Sequence, residues 1–271
     1  MRPIEVCRHL KEATTKILLL DRGKLVSQGT GVVIDPRGIV LTANHVVKPF
    51  TSLSSPTIVG IFAGSAPVVF PTFFGDLSLD VGTPEFLRPL EIDLAVLIPR
   101  NDLHVRSFLM LEDDIPSEGT EVIAAGFPED VKPPLNFSDK IRFDNPEVAE
   151  KEVQIRQFIA AQFRFIMFRS AMIGTVFPIY LSGKADVFGS KTPFTTRAAE
   201  FWLDNTSVPG ASGGPVVNMK GKLLGIVSER GLTSTTDLTD QVDFQVPSGS
   251  TMVQSHKLIS WSLEKLGETF K

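Results

Sequence analysis

A serine set among glycines, Gly210-Ala211-Ser212-Gly213-Gly214-Pro215, is the stretch of this chain best suited to covalent chemistry. Glycine lets the backbone turn sharply and lets a substrate approach the main chain closely. Two amides aimed at one point, those of Gly210 and Ser212, would form a hole for the oxyanion of a tetrahedral acyl intermediate. A serine hydroxyl is a poor nucleophile at neutral pH and needs an adjacent base. Histidine titrates near neutrality, so it can take that proton and later give it to a leaving amine. His45, in Leu41-Thr42-Ala43-Asn44-His45-Val46-Val47, is the candidate. An aspartate on the other ring nitrogen would fix the tautomer and stabilise the imidazolium. Asp93, in Ile92-Asp93-Leu94-Ala95-Val96-Leu97, suits that role. An acid leading an apolar run is costly to bury unless paired, and a protonated histidine is such a partner.

Taken together, these segments resemble the trypsin-like (chymotrypsin-fold) serine peptidases, with the closest likeness to the Deg/HtrA-type protease domain. That family carries its motifs in the chain order His, Asp, Ser, which here are His45, Asp93 and Ser212. Gly29-Thr30-Gly31-Val32-Val33-Ile34 looks like the strand before the histidine. Glu121-Val122-Ile123-Ala124-Ala125-Gly126-Phe127-Pro128 looks like the strand that opens a second barrel. Asp204 matches a similar aspartate upstream of the nucleophile, and Gly221–Ser228 looks like the hairpin after it. The likeness covers residues 14–128 and 168–250 and fails between 129 and 167. It implies that Ser228 lies behind the triad near Asp93, and that Ser228-Glu229-Arg230 offers backbone bonds to an extended substrate. Thr206, six residues before Ser212, stands where an acid sits in members that cut after Lys or Arg. Small or aliphatic residues are therefore expected at the cleaved bond. Ala211 replaces the aspartate of members activated by proteolysis, so regulation by loop ordering is expected instead. No PDZ-like stretch is expected after residue 250.

The same serine also fits a Gly-x-Ser-x-Gly nucleophile elbow, with Asp237 or Asp243 and then His256 completing a triad. That elbow needs a helix directly after the serine. Pro215-Val216-Val217, a Gly221-Lys222 turn and Leu223–Val227 read as a β-hairpin instead. A reading from another class is a catalytically silent protease-fold binding module, against which the intact His45, Asp93 and Ser212 set argues.

At 271 residues with 42% hydrophobic content, the chain can bury one large core or two modest ones. Its net charge of −4, with both signs interspersed, offers no basic run for nucleic acid or an anionic membrane. Peptide or protein is the expected substrate. The single cysteine, Cys7, permits no intrachain disulfide and favours a cytoplasmic, reducing setting. No Cys/His cluster suggests zinc, and no metal or organic cofactor is expected. The apolar stretch Ile58–Phe74 is broken by Gly60, Gly64, Pro67 and Pro71, which suits two strands around a turn better than a membrane span.

The elements that must position these residues read as all-β. Residues 3–13 suit an amphipathic helix with Ile4, Cys7 and Leu10 on one face. Short runs follow at Lys16–Leu20, Thr30–Asp35, Ile39–Thr42, Ile58–Phe62, Val68–Phe70 and Leu94–Ile98. A second set covers Glu121–Gly126, Ala171–Tyr180, Glu200–Leu203, Pro215–Val217, Leu223–Val227 and Gln241–Val246. This spacing implies two antiparallel barrels of the six-stranded type. Residues 1–110 form the half carrying His45 and Asp93, and 111–271 the half carrying Ser212, with the cleft between them. Asn145-Pro146 and the acids after it predict a helix of about twenty residues inside the 129–167 insert. That insert either covers a barrel face or serves as a lid or docking element for a regulatory partner or a second copy. Thr251–Leu266 reads as a C-terminal helix with Val253, Leu258, Ile259 and Leu263 inward, and His256 structural.

Overall fold

The computed structural model describes residues 2–63, 65–75, 77–83, 86–129, 166–187, 190–205, 207–237 and 242–269. The chain opens with helix α1 (Pro3–Ala13), with proline in the first turn, Glu5 near the N-terminus and Lys11 in the last turn. Both charges favour the helix dipole. Its buried face is Val6, Leu10 and Ala13, at helical spacing, whereas Ile4 is 63% exposed. The expected Ile4-Cys7-Leu10 stripe is therefore rotated toward the i, i+4, i+7 face.

Seven short strands and a hairpin make the first half. They are β1 (Thr14–Asp21), β2 (Lys24–Val33), β3 (Val40–Thr42), β4 (Pro56–Ile61), β5 (Val68–Phe70), β6 (Thr72–Phe74), β7 (Leu77–Thr83), β8 (Phe86–Ile92) and β9 (Ala95–Ile98). Between β3 and β4 lies α2 (Asn44–Val47), which runs into a 3-10 turn at Lys48–Ser52. Arg22 and Gly23 both have positive φ, which makes the two-residue β1–β2 turn compatible with the right-handed strand twist. The nearly closed barrel has strand order β5-β4-β1-β2-β3-β9-β6. Ile17, Leu19, Val33, Val40, Ile58, Phe70 and Leu97 fill it.

The second half consists of β10 (Glu121–Gly126), β11 (Met167–Val187), β12 (Ser190–Leu203), β13 (Pro215–Asn218), β14 (Leu223–Asp237) and β15 (Val242–Ser255). The order β10-β13-β14-β15-β12-β11, with β10 also paired to β11, closes a six-stranded barrel. Val122, Ile173, Phe201, Leu203, Val216, Leu224 and Val253 pack inside it. The β7–β8 hairpin of the first half pairs through β7 with β11, extending the second sheet. A shared cluster joins the two halves: Leu41, Ile92, Leu94, Ile123, Val217 and Ile226 meet Val6 and Leu10 of α1 there. Such two-barrel packing leaves a seam in which loops from both halves meet.

Helix α3 runs from His256 to Thr269, not from Thr251. Thr251–Ser255 ends β15 instead, with Thr251 opposite Leu203 and Val253 opposite Phe201. Two neighbouring strands claim this segment, and β-branched Thr251 and Val253 suit a pleated surface. Val253 is buried as expected, but inside the barrel. Leu258 and Ile259 do face the core, as does Trp261. His256 is fully buried and accounts for part of the packing under β14. The helix expected within 129–167 lies outside the described residues, except that Met167 already opens β11.

Candidate active site

His45 owes its position to a strand that ends early. β3 stops at Thr42, Ala43 stays extended, and α2 begins at Asn44, so His45 projects from the first turn. Buried neighbours Val46 and Val47 pin this turn to the first barrel, while the imidazole remains about half exposed (48%). Asp93 lies in the two-residue gap between β8 and β9. The Leu94 N–H donates to Ile92 C=O at 2.8 Å across it, a tight inverse turn centred on Asp93. Ile92 and Leu94, both buried, clamp the turn from either side. Its carboxylate then points at His45.

Three donors converge on that carboxylate. His45 N–H donates to Oδ1 at 2.8 Å, the His45 Nδ1 lies 2.8 Å from Oδ2, and Ser228 Oγ donates to Oδ2 at 2.6 Å. Ser228 is almost fully buried and reaches Asp93 through a β-bulge. In the β14–β15 ladder Val227 pairs with Val253 and Glu229 with Met252, which leaves Ser228 as the extra residue. A bulge of this kind re-aims one side chain without breaking the sheet. The Asp93 main chain is held as well. In the amide orientation that satisfies both groups, Gln254 accepts from Asp93 N–H at 2.8 Å and donates to Asp93 C=O at 3.2 Å.

These contacts set the electrostatics. Burial pushes the Asp93 carboxyl up, but the hydrogen bonds from His45 and Ser228 and the nearby imidazole outweigh it and hold it below the ordinary range. His45 is raised above the ordinary imidazole range, chiefly by its hydrogen bond to Asp93, with burial opposing and Glu229 adding a smaller attraction. With Nδ1 donating to a carboxylate, Nε2 is left as the basic nitrogen.

The Ser212 loop is seated between the halves by its backbone. Ser212 C=O accepts from Thr30 N–H of β2 at 2.8 Å, and Gly213 N–H donates to Val227 C=O at 2.7 Å. Gly210 and Gly213 have φ of +85° and +81°, where a side chain would be strained. A Cβ on Gly213 would overlap Thr30 C=O and the Ala43 amide, so this glycine brings the Ser212 turn against the start of α2. Among the described residues, no hydrogen bond joins Ser212 Oγ to a partner, and the amides of Gly210 and Ser212 donate to no acceptor. Catalytic hydrogen bonds often tighten only once substrate binds.

The structure thus gathers His45, Asp93 and Ser228 into one hydrogen-bonded set and puts the Ser212 loop at the same seam. Glu229 is exposed on β14, and the Arg230 backbone pairs with Thr251. Thr206 lies outside the described residues. Strand β13 (Pro215–Asn218), not a helix, follows Ser212, and in the ladder Asp237 stands opposite Val242 and Asp243 opposite Thr236, so the elbow reading fails. Three residues escaped the sequence: Gln254, Thr30 and Glu129. Thr30 Oγ1 donates to Gly210 C=O at 2.7 Å and accepts from Phe127 N–H at 3.0 Å. Its place between Gly29 and Gly31 on a strand was the only available signal. Among the described residues, no group of three or more potential metal-ligating side chains is found, and no helix is long and apolar enough to cross a membrane.

The family model for the trypsin-like peptidase domain matches residues 29–226. In three dimensions the chain is similar to the Rv3671c protease of M. tuberculosis. The inactive form of a serine-to-alanine mutant gives a TM-score of 0.52 at 20% identity, covering 97% of this chain and 91% of that one. The active form gives a TM-score of 0.51 at 20% identity, covering 97% and 84%. Among curated proteins, none matches the chain in sequence.

Proposed function

From the premise that this chain belongs to the trypsin-like peptidase family, we propose that it is a serine endopeptidase acting through His45, Asp93 and Ser212. Its substrates are proteins or peptides. Ser212 Oγ attacks the scissile carbonyl carbon as His45 Nε2 takes the hydroxyl proton. The carbonyl electrons move to an oxyanion held by the Gly210 and Ser212 amides. Collapse of the tetrahedral adduct expels the amine, which takes the proton from His45. Water, activated by the same imidazole, then hydrolyses the acyl-enzyme. Ser228-Glu229-Arg230 and Thr206 flank the bound substrate strand in this reading.

The observation that carries the proposal is the Asp93 carboxylate with its three donors. They fix the imidazole tautomer that leaves Nε2 free to act as base. A lone cysteine supports a cytoplasmic setting, and a partner or second copy acting through residues 129–167 is the proposed regulator. A fluorophosphonate probe tests the central claim. Stoichiometric labelling, lost in Ser212→Ala, supports the enzyme. No labelling of the folded chain under any condition would leave the silent binding module as the better account.

A further inference from the structure

The amide of Glu129 donates to the carbonyl of Pro209 at 2.9 Å. Glu129 follows β10 and the buried Phe127-Pro128 pair, and it stands outside every segment that the sequence tied to catalysis. Pro209 precedes Gly210, one of the two amide donors proposed for the oxyanion hole. In a trans peptide the C=O and N–H point in opposite directions. A Pro209 carbonyl held toward Glu129 therefore turns the Gly210 N–H the other way, away from Glu129.

The alternative orientation is easily reached by the chain itself. Gly210, at φ +85°, tolerates rotation of the peptide before it. A flipped plane would aim the Gly210 N–H at the Glu129 N–H, donor against donor, and would push the Pro209 oxygen into the hole. The next peptide is held too, because Thr30 Oγ1 donates to the Gly210 carbonyl. Packing is close on the same side: a Cβ on Gly210 would overlap Phe127 C=O and come within 3.0 Å of Glu129 N and Cγ. Glu129 is in turn under the pull of a partly buried lysine, Lys16 of β1, which pairs across the ladder with Thr30.

We infer that Glu129 is a positioning residue whose main-chain N–H holds the Pro209–Gly210 peptide so that Gly210 completes the oxyanion hole. The inference rests on the peptidase reading above. Losing one oxyanion donor costs about 10²–10³ in kcat. A lost lock leaves both orientations populated, so the loss should be smaller.

Two measurements on the full chain test it. Glu129→Pro removes the donor and should lower kcat by about 10- to 100-fold while KM stays within about threefold. Inhibition by a peptide aldehyde, whose adduct carries the oxyanion, should weaken in parallel. The pH at which activity rises should stay put, because His45 and Asp93 are untouched. Glu129→Ala restores the N–H and should recover most of the loss. A folded Glu129→Pro with kcat within twofold of wild type overturns the inference, as does a loss that also moves KM and the pH limb. Amide hydrogen exchange on the wild-type protein decides independently of whether that variant folds. The Glu129 N–H should be protected in the free protein, and the Gly210 N–H only once the aldehyde binds. Fast exchange at Glu129 would overturn the lock even in an active enzyme. Absence of fluorophosphonate labelling would instead remove the peptidase reading.

Discussion

Gln254 and the main chain of Asp93 exchange two hydrogen bonds across the seam between the barrels. The acid comes from the first half and the amide from the last strand of the second. Gln254 is buried, so its polar ends must find partners inside the protein. By meeting both polar atoms of one residue, it ties the Asp93 turn to the sheet that carries Ser228. Gln254→Leu leaves an unpaired N–H and C=O at Asp93, each costing about 1–3 kcal/mol. Urea unfolding should show a loss of about 2–6 kcal/mol for the two groups together. kcat/KM should fall by about 10- to 100-fold, because the carboxylate no longer faces His45 at a fixed angle. Unchanged stability with unchanged activity would mean that the bracket is incidental.

Ser228 and Asp93 make a graded test of the same acid. Asp93→Asn should lower kcat by about 10⁴ through the wrong imidazole tautomer. Ser228→Ala keeps the acid but deletes one charge-assisted hydrogen bond, worth about 1.5–3 kcal/mol. A fall of about 10- to 100-fold is expected. Both variants should fold, as circular dichroism would report. Near-full activity in Asp93→Asn would remove Asp93 from the catalytic set.

The pH dependence follows from the same contacts. Only neutral His45 can act as base, and its pKa is raised by the hydrogen bond to Asp93. kcat/KM should therefore rise along a limb whose midpoint lies above about pH 6.5. Asp93→Asn should move that midpoint down, and Glu229→Gln should move it down by less. Stability runs the opposite way. A raised histidine contributes stability below about pH 6.5 and loses it as pH rises through its folded pKa. For Asp93, held below the ordinary range, the contribution is present above about pH 3.9 and is lost as pH falls through the folded value. The enzyme thus gives up its ion pair over the same pH window in which the base becomes active. A midpoint at or below about pH 6.5 in a folded wild type would contradict the assigned bond.

The double barrel was legible because short alternating runs and glycine-bearing turns leave few other solutions. The His45 and Asp93 segments were legible because each sets a polar residue at the end of a buried strand. Gln254 was hidden for a physical reason. Val253, Leu258 and Ile259 also satisfy a helical spacing, so the residues before His256 read as helix when they are the end of β15. Pairing with both β12 and β14 overrides the local pattern, and periodicity cannot see partners so distant in sequence. Ser228 came from resemblance alone, since a bulge is set by register between two strands.

A buried histidine gives a separate test of the fold. His256 Nδ1 lies 3.1 Å from Leu224 C=O, and its Nε2 is buried with no hydrogen-bond partner among the described residues. Burial pushes its pKa down; the bond to Leu224 and the nearby Glu112 and Asp113 oppose this, while Lys257 reinforces it. A lowered histidine favours the fold above about pH 6.5 and withdraws that support as pH falls from there toward the folded value. Wild type should lose stability between pH 7.5 and 5.5 by at most about 1.4 kcal/mol per pH unit from this one proton. His256→Gln should flatten that slope while lowering stability at both pH values. An unchanged slope in the variant would show that His256 does not carry it.

Primary specificity is the last expectation, and it turns on a small cavity beside the Ser212 loop. Ser207, Val208 and Ala211 before the nucleophile and Val227 after it line this cavity, together with Met167 and Arg169 of β11. Among the described lining residues none is acidic, and Arg169 is the one cation. If the side chain preceding the cleaved bond enters here, a lysine or arginine would lose hydration against an apolar wall with no acid among the described lining residues to pair it, which costs several kcal/mol. Small and aliphatic side chains meet Val208, Ala211 and Val227 without that cost. A peptide library should therefore show kcat/KM at least about 100-fold lower after Lys or Arg than after Ala or Val. Efficient cleavage after Lys or Arg by the wild-type chain would mean that the substrate side chain enters elsewhere, next to an acid that is not among the described lining residues.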